Sequence, residues 1–392
     1  MTKKIINAKI VLPYGVVEGD VIIRDGLIAS VEAGGASECS GKSVCYDEVI
    51  DAEGCYLLAG FVDIHCHGGF GYDFMDATPD EMGEIERFHL SHGTTTLVAT
   101  TMTDTWENIE GALSRFGEHL PDAITLHGVH LEGPWFSPSQ CGAQSVETMS
   151  KPSPKKLLEL CRKYPFIERF SIAPDIDDGY ETGRAGAALG KVVAIGHTDA
   201  DFDTTVEAAS NGYSLVTHVY SGMKGVVRVN AYRVAGAVEG SLYDDRLTTE
   251  VIADGKHLPE GLLKLIYKCK GPDRICLITD SMRGAGMPEG ATIMLGRLDG
   301  GNVCIIEDGV AKLPDRTSFA GSVCTTDRLF RTMVKLAGVP ITEVSKMISA
   351  TPARVMGYAD RGEIAEGKRA DFVIMDEELN IKNIILKGEK QK

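Results

Sequence analysis

The sequence predicts an α/β protein, a (β/α)8 TIM-type barrel carrying a small β-sandwich domain assembled from both chain ends. Eight apolar or β-branched stretches alternate with helical patterns through the middle of the chain. Short alternating strands occupy both termini, and histidines gather where the predicted strands stop. No glycine fingerprint of a dinucleotide or Walker-type phosphate loop opens any of the helices, which argues against an open doubly wound sheet.

Residues 1–55 read as the first part of the small β-domain, with strands at Lys4–Leu12, Asp20–Arg24, Leu27–Val31 and Val49–Asp51. Asp25-Gly26 is a tight hairpin signal, because its backbone tolerates the left-handed conformation that a two-residue turn demands. Residues 56–361 hold the barrel. Its strands are expected at Tyr56–His65, Thr94–Thr101, Ile124–Leu131, Ile167–Ala173, Lys191–Gly196, Tyr213–His218, Thr249–Ala253 and Ile275–Thr279. The intervening helices are Asp80–His92, Trp106–His119, Pro154–Tyr164, Asp201–Gly212 and Pro259–Cys269, with Thr326–Ala337 after the last strand. The Gly-rich stretch Gly179–Gly190 completes the alternation as a helix. Residues 362–392 return to short strands, Glu363-Ile364, Asp371–Met375 and Ile381–Lys387, and close the small domain.

Composition narrows the function. A formal charge of −16, with acids spread along the chain, leaves no basic surface to follow nucleic acid. The longest apolar runs, such as Cys276-Leu277-Ile278, are far shorter than the ~20 residues that span a bilayer. The start, Met1 to Lys9, reaches no signal-peptide core before Pro13 and Gly15, so the protein is read as cytoplasmic. Its 10 cysteines (39, 45, 55, 66, 141, 161, 269, 276, 304 and 324) are then free thiols. Cys141, Cys276 and Cys324 near the barrel rim are read as filler, since no activating base accompanies them.

The chemistry collects at strand ends. His65 and His67 lie two apart on one strand and face the same way, while Cys66 faces the other. Glu132, His197, His218 and Asp280 occupy four other strand ends, and His257 follows the seventh strand. Imidazole and carboxylate donors suit a divalent transition metal, zinc foremost, with iron, manganese or cobalt as alternatives. Six donors exceed one tetrahedral ion, so the site holds one or two ions, with Glu132 as the bridging carboxylate of a pair. His130 is either an orienting partner of the ligands or a satisfied core histidine, and His127 is read the same way. His89, His92 and His119 fall in helices and read as surface or capping residues.

At this point the motifs resemble those of the N-acetylglucosamine-6-phosphate deacetylases of the amidohydrolase superfamily. The similarity runs from Leu58-Ala59-Gly60-Phe61-Val62-Asp63-Ile64-His65-Cys66-His67-Gly68 through His130-Leu131-Glu132-Gly133-Pro134-Trp135. It continues through Gly196-His197-Thr198, Thr217-His218-Val219-Tyr220, Asp254-Gly255-Lys256-His257 and Ile278-Thr279-Asp280-Ser281-Met282. Phe319-Ala320-Gly321-Ser322, Ala350-Thr351-Pro352-Ala353 and Gly362–Asp371 resemble the closing segments. The resemblance implies that Glu132, His197 and His218 hold the main ion, that Asp280 is the catalytic acid/base and that His257 contacts substrate. Because His65 and His67 are both kept, it also allows a second ion.

By the same resemblance Ala143, Gln144, Ser221, Gly222, Arg228, Phe319, Ala320 and Gly321 join His257 in binding substrate, an N-acetylated amino-sugar phosphate. The family assembles as a homodimer or higher homo-oligomer whose neighbouring subunit supplies a phosphate-gripping arginine. Three departures fall in the substrate pocket. Gln144 stands where the family has histidine, Ser221-Gly222 replace an Asn-Ala pair, and Val226–Arg233 replaces the Gly-Arg-Glu-Pro stretch, leaving Arg228 and then Arg233 as candidates. The alternatives are another N-acyl amino sugar or a non-phosphorylated N-acyl compound. A cyclic-amide hydrolase bridged by a carboxylated lysine is disfavoured, because Ile167–Ala173 contains no lysine. A metal-free scaffold has no physical need for six donors on one rim.

Overall fold

The computed structural model describes residues 1–34 and 45–391. Cys39, one of the expected thiols, lies outside the described residues; the other nine cysteines are free.

The chain ends meet in one eight-stranded sheet. It runs Glu389–Lys390, Ile381–Leu386, Phe372–Met375, Tyr56–Ala59, Thr2–Leu12, Gly15–Arg24, Leu27–Ala33, with Glu48–Asp51 also paired to Thr2–Leu12. Tyr56–Ala59 is the seam, antiparallel to Phe372–Met375 and parallel to Lys9-Ile10. Ile5, Ile10, Val21, Ile23, Leu57, Phe372 and Ile385 pack into a core belonging to this sheet alone. The predicted turn is present: Asp25 and Gly26 have φ of 51° and 77° between paired Arg24 and Leu27, the left-handed pair of a type I′ hairpin.

Eight parallel strands form the barrel: Phe61–Cys66, Thr94–Thr101, Leu126–Glu132, Ile167–Ile172, Val192–Ile195, Tyr213–Val216, Thr248–Val251 and Ile275–Leu277, each paired with the next. The ring closes where Cys66 bridges Ser281 in parallel and Asp280 N–H donates to the His65 carbonyl at 2.9 Å. Leu97, Ala99, Val129 and Leu131 pack with helical Ile109, Leu113 and Phe116. The alternate residues Val98, Ala194, Leu215 and Cys276 pack on one another instead. One strand face thus meets the helices and the other fills the barrel, which confirms Cys276 as filler.

Capping explains where helices begin. Thr78 and Glu81 form a capping box ahead of Pro79–Ser91, and Thr105, Ser153 and Asp201 accept from backbone N–H groups at the starts of Trp106–His119, Pro154–Lys163 and Phe202–Ser210.

Three expectations are corrected. The strand expected at Tyr56–His65 divides at Gly60, its first half joining the terminal sheet and its second the barrel. A Cβ at Gly60 would sit 2.1 Å from Thr95 Oγ1; both halves are apolar, so hydropathy hides the break. Thr292–Leu295, Asn302–Glu307 and Val310–Lys312 form an unanticipated three-stranded sheet after the eighth strand, and Val227–Val229 pairs with Tyr232–Val234 in a short hairpin. His89 and His119 are not surface groups: both are buried, His89 2.9 Å from the Gly68 carbonyl and His119 2.5 Å from Glu86. No described helix is long and apolar enough to cross a membrane.

Candidate metal centre and active site

Barrel geometry delivers the donors to one end. His65 lies within the first strand and Glu132 ends the third, while His197, His218 and Asp280 stand just beyond the fifth, sixth and eighth strands and His257 lies in the loop after the seventh, which ends at Val251. His197, His218 and Asp280 adopt φ of 45°, 25° and 47°. That left-handed backbone costs a non-glycine residue about 1–2 kcal/mol, and it turns each side chain out of the strand direction and over the rim.

The imidazole Nε2 atoms converge on two carboxylates. Glu132 Oε1 lies 2.9 Å from His218 Nε2 and 3.3 Å from His197 Nε2, while Oε2 lies 3.3 Å from His67 Nε2. Asp280 Oδ1 lies 3.2 Å from His67 Nε2 and 3.5 Å from His65 Nε2. The two Nε2 atoms of His65 and His67 face each other at 3.2 Å. Donors 2.0–2.1 Å from one tetrahedral ion stand about 3.3–3.4 Å apart, so these spacings fit a shared cation. Two groupings recur, His65 with Glu132 and His218, and His65 with His67 and Asp280. The residues fit one or two divalent ions, with the Glu132 oxygens divided between the His197/His218 side and the His67 side.

Electrostatics agree. Burial would raise the Glu132 carboxyl, but the charge of His65 and hydrogen bonds from His197, His218 and His67 hold it well below its ordinary range. Burial also opposes ionisation of Asp280, and His65, His67 and His218 overcome it. Burial would lower His67, yet Asp280 and Glu132 push it up to about 10. This buried cluster of carboxylates seeks positive charge.

Supporting groups orient the donors. His197 Nδ1 donates to the Gln140 carbonyl at 2.8 Å. His65 Nδ1 donates to Glu250 Oε2 at 3.1 Å, and Glu250 also pairs with Arg169. His130 stands 2.7 Å from Ser171 Oγ and 3.3 Å from Thr100 Oγ1, its ring edge against His65. It is a satisfied neighbour of the candidate donors, and burial, followed by the charge of Arg169, drives it well below the ordinary imidazole range and keeps it neutral. His127 pairs instead with Glu168, outside the site.

A cavity opens over the donors, lined by His67, Glu132, His197, His218 and Asp280 together with Ala143, Gln144, Ser221, Gly222, His257, Phe319 and Gly321. Gln144 accepts from Thr103 N–H at 3.1 Å and donates to Glu132 Oε2 at 3.0 Å. Gly222 has φ +57°, and a Cβ there would lie 2.6 Å from His197 Nδ1, which accounts for glycine at this place. Two expected contacts are not in the cavity. Ala320 is fully buried, its N–H paired with the Ala311 carbonyl. Arg228 stands opposite Arg233 on the exposed hairpin, which carries it into solvent. Met102, Gly142, Leu295 and Ser318 also line the cavity and were not anticipated. Leu295 comes from the unanticipated small sheet. Glu250 and Arg169 were missed too, although each is a charged residue at the inward register of a predicted barrel strand, a signal present in the sequence.

The chain belongs to the amidohydrolase family, whose model matches residues 56–390. Within it, the chain is 33% identical over 377 residues to N-acetylglucosamine-6-phosphate deacetylase of Lysinibacillus sphaericus, covering 94% of this chain and 92% of that one. It is 31% identical over 376 residues to N-acetylgalactosamine-6-phosphate deacetylase of Escherichia coli O157:H7, covering 94% and 93%. The crystal structure of N-acetyl-D-glucosamine-6-phosphate deacetylase from Mycobacterium smegmatis aligns with a TM-score of 0.89 at 29% identity, covering 100% of both chains.

Proposed function

We propose that this chain is a metal-dependent deacetylase that hydrolyses the N-acetyl amide of an amino-sugar 6-phosphate, N-acetylglucosamine 6-phosphate foremost, giving glucosamine 6-phosphate and acetate. The observation that carries this reading is the convergence of four imidazole Nε2 atoms on Glu132 and Asp280 at the floor of a cavity. We assign His65, His67, Glu132, His197 and His218 to one or two divalent ions, zinc before iron, manganese or cobalt. The ion, when bound, supplies Lewis acidity that makes water nucleophilic near neutral pH. Asp280, held ionised in the cluster, takes the proton of the attacking water and returns it to the departing amine nitrogen. His257, its Nδ1 fixed on Asp254, turns Nε2 toward the acyl group. Ala143, Gln144, Ser221, Gly222, Phe319 and Gly321 shape the sugar pocket. Free thiols suit a reducing cytoplasm.

The phosphate end needs a donor from elsewhere, because among the described residues no lysine or arginine lines the cavity. We assign that role to Arg228, with Arg233 in reserve, delivered by the hairpin of a second copy in a homodimer. That same absence favours a second reading, an amidohydrolase for a non-phosphorylated N-acyl compound. Elemental analysis with chelation, followed by N-acetylated amino sugars assayed with and without 6-phosphate, decides the matter. Metal-dependent release of acetate from the phosphorylated sugars is expected. Preference for unphosphorylated amides would install the second reading, and absence of bound metal would remove both.

A further inference from the structure

Beneath the donors, the barrel interior contains a buried ion pair that the catalytic scheme leaves unused. Glu250, from the seventh strand, and Arg169, from the fourth, are both fully buried. Burying two charges carries a desolvation penalty that their attraction must first offset, and a barrel interior is ordinarily filled by branched apolar side chains. The polar contacts of this pair lead to the ligand strands. Glu250 Oε2 accepts from His65 Nδ1 at 3.1 Å and from the backbone N–H of His218 at 3.3 Å. Glu250 Oε1 accepts from Arg169 Nη1, which also donates to the Ile64 carbonyl at 3.0 Å, one residue before His65.

We propose that Glu250, braced by Arg169, is a positioning residue that sets the metal occupancy of the His65/His67 side of the site. This rests on the metal-dependent reading above. A carboxylate can only accept, so Glu250 fixes the His65 proton on Nδ1 and leaves the Nε2 lone pair for an ion. The same oxygen ties the His218 backbone, so one carboxylate holds a donor from each side of Glu132 at a set separation. Arg169 keeps that carboxylate from turning away and anchors the strand that carries His65. Without the strut, the His65 ring is free to place its proton on Nε2 and to rotate.

The test uses full-length protein stripped with chelator, then titrated with Zn2+ against a chromophoric competitor, with ions per chain counted by elemental analysis. Removing Glu250 alone would strand a buried guanidinium, so both charges are removed together. Arg169→Met with Glu250→Leu is expected to weaken one class of bound ion by about 10–100-fold. Arg169→Met with Glu250→Gln restores an uncharged acceptor for His65 Nδ1 and is expected to recover part of that loss. A purely structural pair would not make affinity follow the acceptor. Unchanged affinity in both variants overturns the proposal, as do equal losses. If the leucine variant does not fold, Arg169→Met with Glu250→Met takes its place as the variant without an acceptor, and affinity equal to that of the glutamine variant overturns the inference. Wild-type protein that binds no Zn2+ overturns the metal-dependent reading itself, whereas wild-type binding matched by the variants overturns only the role of Glu250.

Discussion

His257 gives its Nδ1 hydrogen to Asp254 across 2.8 Å, and the same carboxylate accepts the backbone N–H groups of Lys256 and His257 at 2.8 Å each. Burial opposes the Asp254 charge, but these bonds hold its carboxyl below the usual value. One carboxylate thus closes the loop after the seventh strand and fixes which ring nitrogen faces the cavity. Asp254→Asn keeps one acceptor oxygen for three N–H groups, so it either turns its amide toward the ring or leaves the ring to move its proton to Nε2. The variant is expected to lose a charge-assisted bond of about 1.5–3 kcal/mol, or roughly 10–100-fold in kcat/KM. Steady-state kinetics beside circular dichroism will check this, and a folded variant with unchanged kcat/KM contradicts it.

Asp280 combines a left-handed backbone, a closing bond to the His65 carbonyl and an oxygen 3.2 Å from His67 Nε2. Asp280→Asn keeps the shape and removes the carboxylate proposed as the proton acceptor. Turnover is expected to fall by ~10²–10⁴, the usual worth of an acid/base group, while the fold persists. Acetate release measured on protein of verified metal content is the check; near-normal turnover would return the acid/base role to another residue.

Much of this site was legible because its donors mark strand ends. His-x-His, Glu132, His197, His218 and Asp280 are polar residues that terminate apolar runs, and the barrel makes a ring of such termini. Polar residues inside the strands are harder to read, because their register shows that they face inward but not what they meet. Glu250 and Arg169 read as interruptions of hydrophobic stretches, and only the fold shows that they face each other. Gly60 was missed for the opposite reason, since the residues on both sides are apolar and the change of sheet leaves no trace in hydropathy. The small sheet containing Leu295 follows the last barrel strand, where no alternation rule applies. Likeness of its loop points Arg228 at the phosphate, but the loop's sequence has changed, and the hairpin it forms holds Arg228 out of the cavity of its own chain.

Acid stability can be predicted away from the metal centre. Asp327 accepts from Thr325 Oγ1 at 2.6 Å and lies 2.9 Å from Arg331 and 3.2 Å from His92. Burial pushes its carboxyl up, yet the His92 hydrogen bond and charge, with Thr325 and Arg331, bring it down to about 2. A carboxyl depressed in the fold stabilises it above the unfolded pKa of ~3.9, and that contribution is lost as pH falls toward the folded value. Asp327→Asn is expected to cost about 2 kcal/mol at pH 7, shrinking to roughly half by pH 3. Denaturant titrations at both pH values measure the difference, and a gap that does not narrow would show that Asp327 stabilises by packing alone.

The most discriminating experiment concerns Arg228. It faces Arg233 across a hairpin whose Val229 and Tyr232 are 51% and 78% exposed. Exposed apolar residues beside two arginines make this hairpin a surface suited to another chain, while the cavity has no lysine or arginine of its own among the described residues. Arg228→Ala is therefore expected to lower kcat/KM for phosphorylated sugars about 10–100-fold and to leave unphosphorylated ones nearly unchanged. If the arginine acts across a dimer, the hybrid of an Arg228→Ala chain with an Asp280→Asn chain contains one complete site, because the second chain lends its arginine to the first. Mixing the two variants under exchange should then restore activity that neither has alone. If Arg228→Ala affects only phosphorylated sugars and mixing restores nothing, the arginine serves its own chain and the hairpin must fold inward. If both substrate classes fall together, Arg228 does not read phosphate, and Arg233 becomes the residue to change.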